Sequence, residues 1–211
     1  MPSIKFFPII REVLNDLVDS VSASKGLSRE EIYERMIAHI KDNSIQWASG
    51  KKPVIAYDNV LCRMAYLYEI VPANANLLQN VITYDSEIRE YMLGVNEAKG
   101  EVSICVFGAG PGTELLALAK WADWNRLDGG LSVNFLLLDK VNEWIDSWEA
   151  IKHRIRSNFR DNISKNKRDW PIDFEGSFYV IDICDTTNFG NVNNLFGQDL
   201  CILSYVVSEK F

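Results

Sequence analysis

At 211 residues and 24.1 kDa, with 47% apolar and 24% charged residues and a mean hydropathy of -0.08, the chain has material for a sizeable core. Those values exclude a disordered chain, a collagen-like chain and a disulfide miniprotein. A net charge of -7 and a pI of about 4.9 exclude a bulk basic footprint for nucleic acid. No apolar run approaches the ~20 residues that a membrane helix needs, so no membrane association is expected. The opening MPSIKFFPIIREV meets Arg11 too early for a signal peptide, and Glu12, Asp16 and Asp19 argue against an import presequence. The expected compartment is cytoplasmic or nuclear. Of the four cysteines, Cys62, Cys105, Cys184 and Cys201, none forms a C-x-x-C pair. Three sit inside short β-like apolar runs and read as small buried hydrophobes. Neither a disulfide framework nor a zinc site is expected, and His39 and His153 alone make no His-rich metal site.

In chain order, residues 5–22 place Ile9, Val13, Leu14, Leu17, Val18 and Val21 at helical spacing. Ser28 and Glu31 form a capping box before IYERMIAHI, whose Ile32, Met36, Ile37 and Ile40 make one stripe. Residues 49–58 read as a loop broken by Gly50 and Pro53. A helix over 59–71 stops at Pro72, another covers 75–82, and a third runs over 85–93 to end at Gly94. The rhythm then changes. VSICVF (102–107) is a strand, GAGPGTE (108–114) a glycine-rich turn and LLALAKWA (115–122) a helix. LSVNFLLLD (131–139) is a second strand, and 141–160 an amphipathic helix with Trp144, Ile145, Trp148, Ile151 and Ile155 on its stripe. SFYVID (177–182) and DLCILSYVV (199–207) are the third and fourth strands. Apolar strands alternating with helices predict an α/β fold with a mostly parallel sheet flanked by helices, preceded by an all-helical region. The division is 1–94 helical and 95–211 α/β, although the helices could instead pack on the sheet as a cap.

The informative element is Gly108-Ala109-Gly110-Pro111-Gly112 between a strand and a helix. Glycines there let the backbone bend sharply and approach a ligand without a Cβ in the way. Dinucleotide enzymes use G-x-G-x-x-G/A, but Thr113 stands at its last position. The spacing present, G-x-G-x-G, resembles motif I of the class I, Rossmann-like S-adenosylmethionine-dependent methyltransferases. That family carries an acid two positions before the first glycine, where this chain has Val106.

The resemblance covers residues ~85–211 and implies S-adenosylmethionine as cofactor. It places Gly108, Ala109, Gly110 and Gly112 on the methionine part, and Asp139 with its neighbour Lys140 on the ribose. Asp182 and Ile183 would hold the adenine, and Ser204 and Tyr205 would face the transferring methyl. A carboxylate suits the ribose because it accepts two hydrogen bonds from a diol. The fourth-strand segment lacks the N/D-P-P-Y/F signature of amino-methylating DNA enzymes. Its SYVVSE ending is similar to methyltransferase-like proteins associated with mitochondrial ribosomes, six residues that assign no branch. The family sheet has seven strands and four are countable here, so a shortened chain is expected.

Simpler roles stand beside these. The glycines could form a turn with no ligand, Asp139 could cap the helix near Val141, and Asp182 or Asp185 could be turn formers. Glu114 reads as a favourable charge at a helix N-terminus. His39 belongs on the flank of its stripe, His153 on a solvated face, and Trp144 and Trp148 in the core. Lys165, Lys167 and Arg168 read as a solvated run, and Tyr84 and Tyr91 as packing residues. The function expected is methyl transfer to an unidentified acceptor: protein, RNA or small molecule. The alternatives are a non-catalytic scaffold on the same fold and a nicotinamide or flavin oxidoreductase.

Overall fold

The computed structural model describes residues 5–49, 56–125, 130–166 and 172–203. Five helices come first: α1 (Phe6–Lys25), α2 (Arg29–Ala48), α3 (Val60–Glu69), α4 (Val71–Tyr84) and α5 (Ser86–Lys99). The α/β part follows as β1 (Val102–Phe107), α6 (Thr113–Asn125), β2 (Leu131–Asp139), α7 (Trp144–Asn166), β3 (Ile172–Val180) and β4 (Leu200–Ile202). Two short 3-10 turns, Thr186–Asn191 and Leu195–Gly197, link β3 to β4. The fold class is α/β with a parallel sheet, as the alternation of strands and helices predicts.

Local chemistry sets most boundaries. Glu31 accepts the backbone N–H of Ser28 at 2.8 Å, and Ser28 Oγ accepts that of Glu31 at 3.2 Å, completing the capping box of α2. Asp85 caps α5 by accepting from Glu87 and Ile88. Pro72 does not merely stop α3. It occupies the first turn of α4, where its missing N–H is harmless. The helix expected to end at Gly94 continues to Lys99, and Gly100 (φ 80°) closes it in the left-handed region. The third strand begins earlier than expected, at Ile172, and stops at Val180, before Asp182. β4 covers only Leu200–Ile202, and residues 204–207 of the expected strand lie outside the described residues.

The sheet order is β3-β2-β1-β4, all parallel. Two successive right-handed crossovers put α6 and α7 on one face. The link from β3 then crosses the other face to reach β4 on the far side of β1. Alternation along the strands supplies both faces. Val102, Ile104, Val106, Val133, Phe135 and Leu137 join the large core, whereas Cys105, Leu136 and Leu138 join a small one with Ile181 and Val192. The helical region adds a further layer rather than standing apart. α1 packs on α7, α4 packs on α6, and residues of both halves share the large core. Arg154 of α7 pairs with Asp16 and Glu12 of α1 at that seam.

Trp148 is the keystone of the α7 side. It is buried among Ile151, Phe135 and Phe174, and its ring meets that of Phe135 edge-on at 6.3 Å. Two glycines make its room. A methyl at Gly112 would stand 2.9 Å from Trp148 Cδ1, and one at Gly176 would stand 3.2 Å from Cη2. The β3 edge is guarded by charge: Arg156 bonds Asp173 and Glu175, and Lys152 bonds Glu175.

Cysteine placement corrects one expectation. Cys105 is buried, and burial, with Cys201 as a neighbour, pushes its thiol up to about 12. Cys184 and Cys201 are exposed, because one lies in the loop after β3 and the other on an edge strand. Tyr84 and Tyr91, expected to pack, are also exposed. Trp144 and Trp148 are buried and His153 is exposed, as expected. Lys167 and Arg168 lie outside the described residues, as does the side chain of Lys165.

The double accommodation of Trp148 sets its energetic weight. Trp148→Ala should cost about 3–5 kcal/mol of folding free energy, measured as a lowered urea midpoint. A loss below about 1 kcal/mol would show that the ring does not carry this seam.

Candidate functional site

The order β3-β2-β1-β4 reverses direction between β1 and β4. In open α/β sheets, ligands bind beyond the strand C-termini at such a reversal. The glycine-rich turn leaves β1 at this point. Its geometry is set by the tip of β2. Gly108 and Ala109 donate their N–H groups to the Leu138 carbonyl at 2.8 and 3.0 Å. Gly110 donates to Asp139 Oδ2 at 2.9 Å. The other oxygen, Oδ1, accepts from Val141 at 2.9 Å. Asp139 therefore caps its own turn and also holds the glycine turn, and its backbone carbonyl accepts from Ile181 at 2.8 Å. One residue thus joins the ends of β1, β2 and β3.

The glycines have separate roles. Gly108, Gly110 and Gly112 have φ of 67°, 53° and 101°, all in the region that favours glycine. A Cβ on Gly110 would meet nothing closer than the Gly108 carbonyl at 4.0 Å, so its outer side is open. Gly112 instead faces Trp148 and serves packing. Ala109 is buried in the large core. Val106, two residues before the first glycine, is fully buried in the same core between Leu137 and Ile202. A charge there would meet no solvent.

Asp139 is 8% exposed. Burial raises its pKa above the usual aspartate range, and the N–H groups of Val141, Gly110 and Lys140, with the Lys140 charge, oppose the rise. Two oxygens carry about four acceptor sites, so the backbone N–H groups do not exhaust the carboxylate. Lys140 is exposed beside it. Asp182 stands one residue beyond Ile181, in the turn after β3. Its Oδ1 accepts from the Cys184 N–H at 2.9 Å, and its carbonyl accepts from Asp185 at 2.9 Å. Asp182 is exposed at this turn, and Ile183 packs against the small core. Asp185 caps the following 3-10 turn by accepting from Thr187. Glu114 is buried in the first turn of α6. Ser204 and Tyr205 lie outside the described residues.

Two contributors were not singled out from sequence as part of this site. Trp148 closes on Gly112, though its place on an apolar stripe marked it only as core. Trp144 begins α7 with its N–H on the Val141 carbonyl, 3.2 Å away. Tyr57 and Tyr66 pack on its ring at centroid distances of 5.6 and 5.7 Å. The helical region therefore reaches the turn that follows Asp139. No sequence signal linked residues so far apart in the chain. His39 meets Cys62 at 3.4 Å between α2 and α3, away from this region of the sheet.

No family model, curated protein or solved structure matches the chain. Among the described residues, no helix is long and apolar enough to cross a membrane, and no group of three or more His, Cys, Asp or Glu side chains could hold a metal ion.

Gly110 and Gly112 separate open space from contact. Gly112→Ala adds a collision with Trp148 to backbone strain and should lower stability by about 2–4 kcal/mol. Gly110→Ala brings the strain alone, about 1–2 kcal/mol. Chemical denaturation of the two variants checks the order; equal losses would remove the distinction.

Proposed function

We propose that the chain is an S-adenosylmethionine-dependent methyltransferase acting on a protein, RNA or small-molecule acceptor. The observation that carries the reading is the carboxylate of Asp139 joined to an open glycine turn at the sheet's reversal point. Such a junction suits a nucleoside whose sugar must be held by an acceptor and whose tail must approach bare backbone. The residues fit that group. Gly110 leaves space on its outer side, and Asp139 keeps acceptor capacity in a poorly hydrated position.

When bound, S-adenosylmethionine supplies a methyl group activated by a positively charged sulfur. The chain's own task is then positional. Asp139 accepts from the ribose hydroxyls and fixes the sugar. Gly108 and Gly110 admit the methionine part close to the backbone. Asp182 and Ile183 flank the base beside β3. The helical region, which reaches the β2–α7 turn through Tyr57 and Tyr66, contributes to the acceptor side and to exclusion of water. This chemistry requires no dedicated acid or base from the chain.

A second reading is a non-catalytic scaffold on the same fold. Val106 favours it, since the family's acid is replaced by a fully buried apolar side chain. An oxidoreductase would use the same Asp139 for a ribose, but Thr113 departs from its glycine pattern.

Calorimetric titration with S-adenosylmethionine separates these readings. Binding is expected, with Asp139→Ala at least tenfold weaker, the loss of about 1.4 kcal/mol or more. Absence of heat from the intact chain would overturn the cofactor assignment.

The raised pKa of Asp139 adds a pH signature. Only the ionised carboxylate accepts from both hydroxyls without presenting a proton of its own. Affinity should therefore fall as pH drops through the elevated pKa, beginning above the ordinary aspartate value of about 3.9. Asp139→Asn should flatten that profile. A profile unchanged by this substitution would detach the carboxylate from the ligand.

A further inference from the structure

Helix α4, VPANANLLQNVITY, contains no charged residue. Its inward face is explained by Val71, Ala75, Gln79 and Ile82, all buried. The outward face of such a helix is ordinarily polar. Here Leu77 is 54%, Val81 43% and Tyr84 84% exposed, and Ala73 is exposed as well. Offsets of four, four and three place these four on one stripe, opposite the buried one. The helix is therefore apolar on two faces, and only one of them is covered.

The end of this stripe is acidic. Asp85, Glu87 and Glu90 are exposed just beyond Tyr84. Of the nearby cations, Lys120 of α6 donates to Asn76 at 3.4 Å and lies over the Phe6 ring, and Arg89 donates to the Thr83 carbonyl at 3.0 Å while its other nitrogen stands 4.0 Å from Glu90, leaving Asp85 and Glu87 in excess. The stripe itself offers no counter-charge, and the whole chain carries a net charge of -7. A second copy would bring the same acids and the same net charge, whereas a cationic partner would meet both features.

We propose that the outward face of α4 docks an amphipathic helix of another protein. Its apolar side chains, at helical spacing, would lie along Ala73, Leu77, Val81 and Tyr84. Lysine or arginine at one end would meet Asp85, Glu87 and Glu90. Apolar contact supplies the affinity, and the acids fix direction and reject anionic helices. The proposal is independent of the cofactor reading, because α4 contributes nothing to the Asp139 junction.

The test uses the full chain and a fluorescein-labelled peptide of about 18 residues, long enough to form a helix on docking. Its leucines follow helical spacing and its other positions are mostly lysine. Controls carry the same leucines with glutamate for lysine, or the same composition in scrambled order. Anisotropy should show saturable binding of the first peptide alone. Leu77→Ser/Val81→Ser/Tyr84→Ser should weaken it at least tenfold, and Glu87→Lys/Glu90→Lys severalfold. Phe196→Ser, at an exposed apolar side chain elsewhere, should leave it unchanged. Far-ultraviolet circular dichroism confirms that each variant stays folded. No binding, equal binding of the glutamate or scrambled peptide, or insensitivity to the α4 triple variant would overturn the proposal. So would sedimentation velocity showing a dimer of the intact chain that the triple variant abolishes, since the face would then belong to a second copy.

Discussion

Asp139 takes the N–H of Gly110 on one carboxylate oxygen and that of Val141 on the other, while its backbone carbonyl takes that of Ile181. Three strand ends therefore converge on one residue. The turn after β1 could not hold its shape by glycine alone, because glycine permits many backbone states and selects none. Selection comes from the acceptors beneath it, the Leu138 carbonyl and the Asp139 carboxylate. The arrangement keeps a carboxylate where water is scarce, which is why its pKa rises despite the backbone donors and the Lys140 charge around it. A dry acceptor with spare lone pairs is costly without a partner, and that cost makes the position suited to a polar ligand.

The three glycines of the turn share a motif but not a reason. Gly110 opens outward, and a side chain there would occupy the approach to the backbone. Gly112 lies under Trp148, and a side chain there would lift α7. The consequence reaches across the sheet, because the same indole needs Gly176 on β3. An open position and a packing position thus stand two residues apart. Val106 belongs to the packing side of this division: its burial between β2 and β4 gives the core what an acid would take away.

The sheet was largely legible in the sequence, and the physical reason is periodicity. β1 and β2 are short apolar runs bounded by glycine and aspartate, so their limits are written locally. β3 was less so. IDFEGSFYV places Asp173 and Glu175 on an edge, which hides the strand's first half behind charges paired with α7. α5 overran Gly94 because an exposed glycine within a helix costs only about 1 kcal/mol, which tertiary packing offsets. In the candidate site, Gly110 and Asp139 were legible as types at a spacing, but their mutual hydrogen bond was not. Nor was the exposure of Asp182, whose carboxylate is engaged by its own turn. Tyr57 and Tyr66 were invisible for a different reason: their relation to Trp144 exists only once the fold brings both rings to the start of α7.

That last contact bears on how the two parts of the chain act together. Tyr57 and Tyr66 meet edge-on at 5.7 Å, and both rings lie against Trp144. At these separations the rings fill one another's space, so the trio is a joint and not a cage. Arg63 stiffens the approach by donating to the Tyr57 and Asp58 carbonyls at 2.6 and 3.1 Å. From Trp144 the path is short. Its N–H binds the Val141 carbonyl, and the Val141 N–H binds Asp139. One ring contact and two hydrogen bonds thus lie between α3 and the carboxylate.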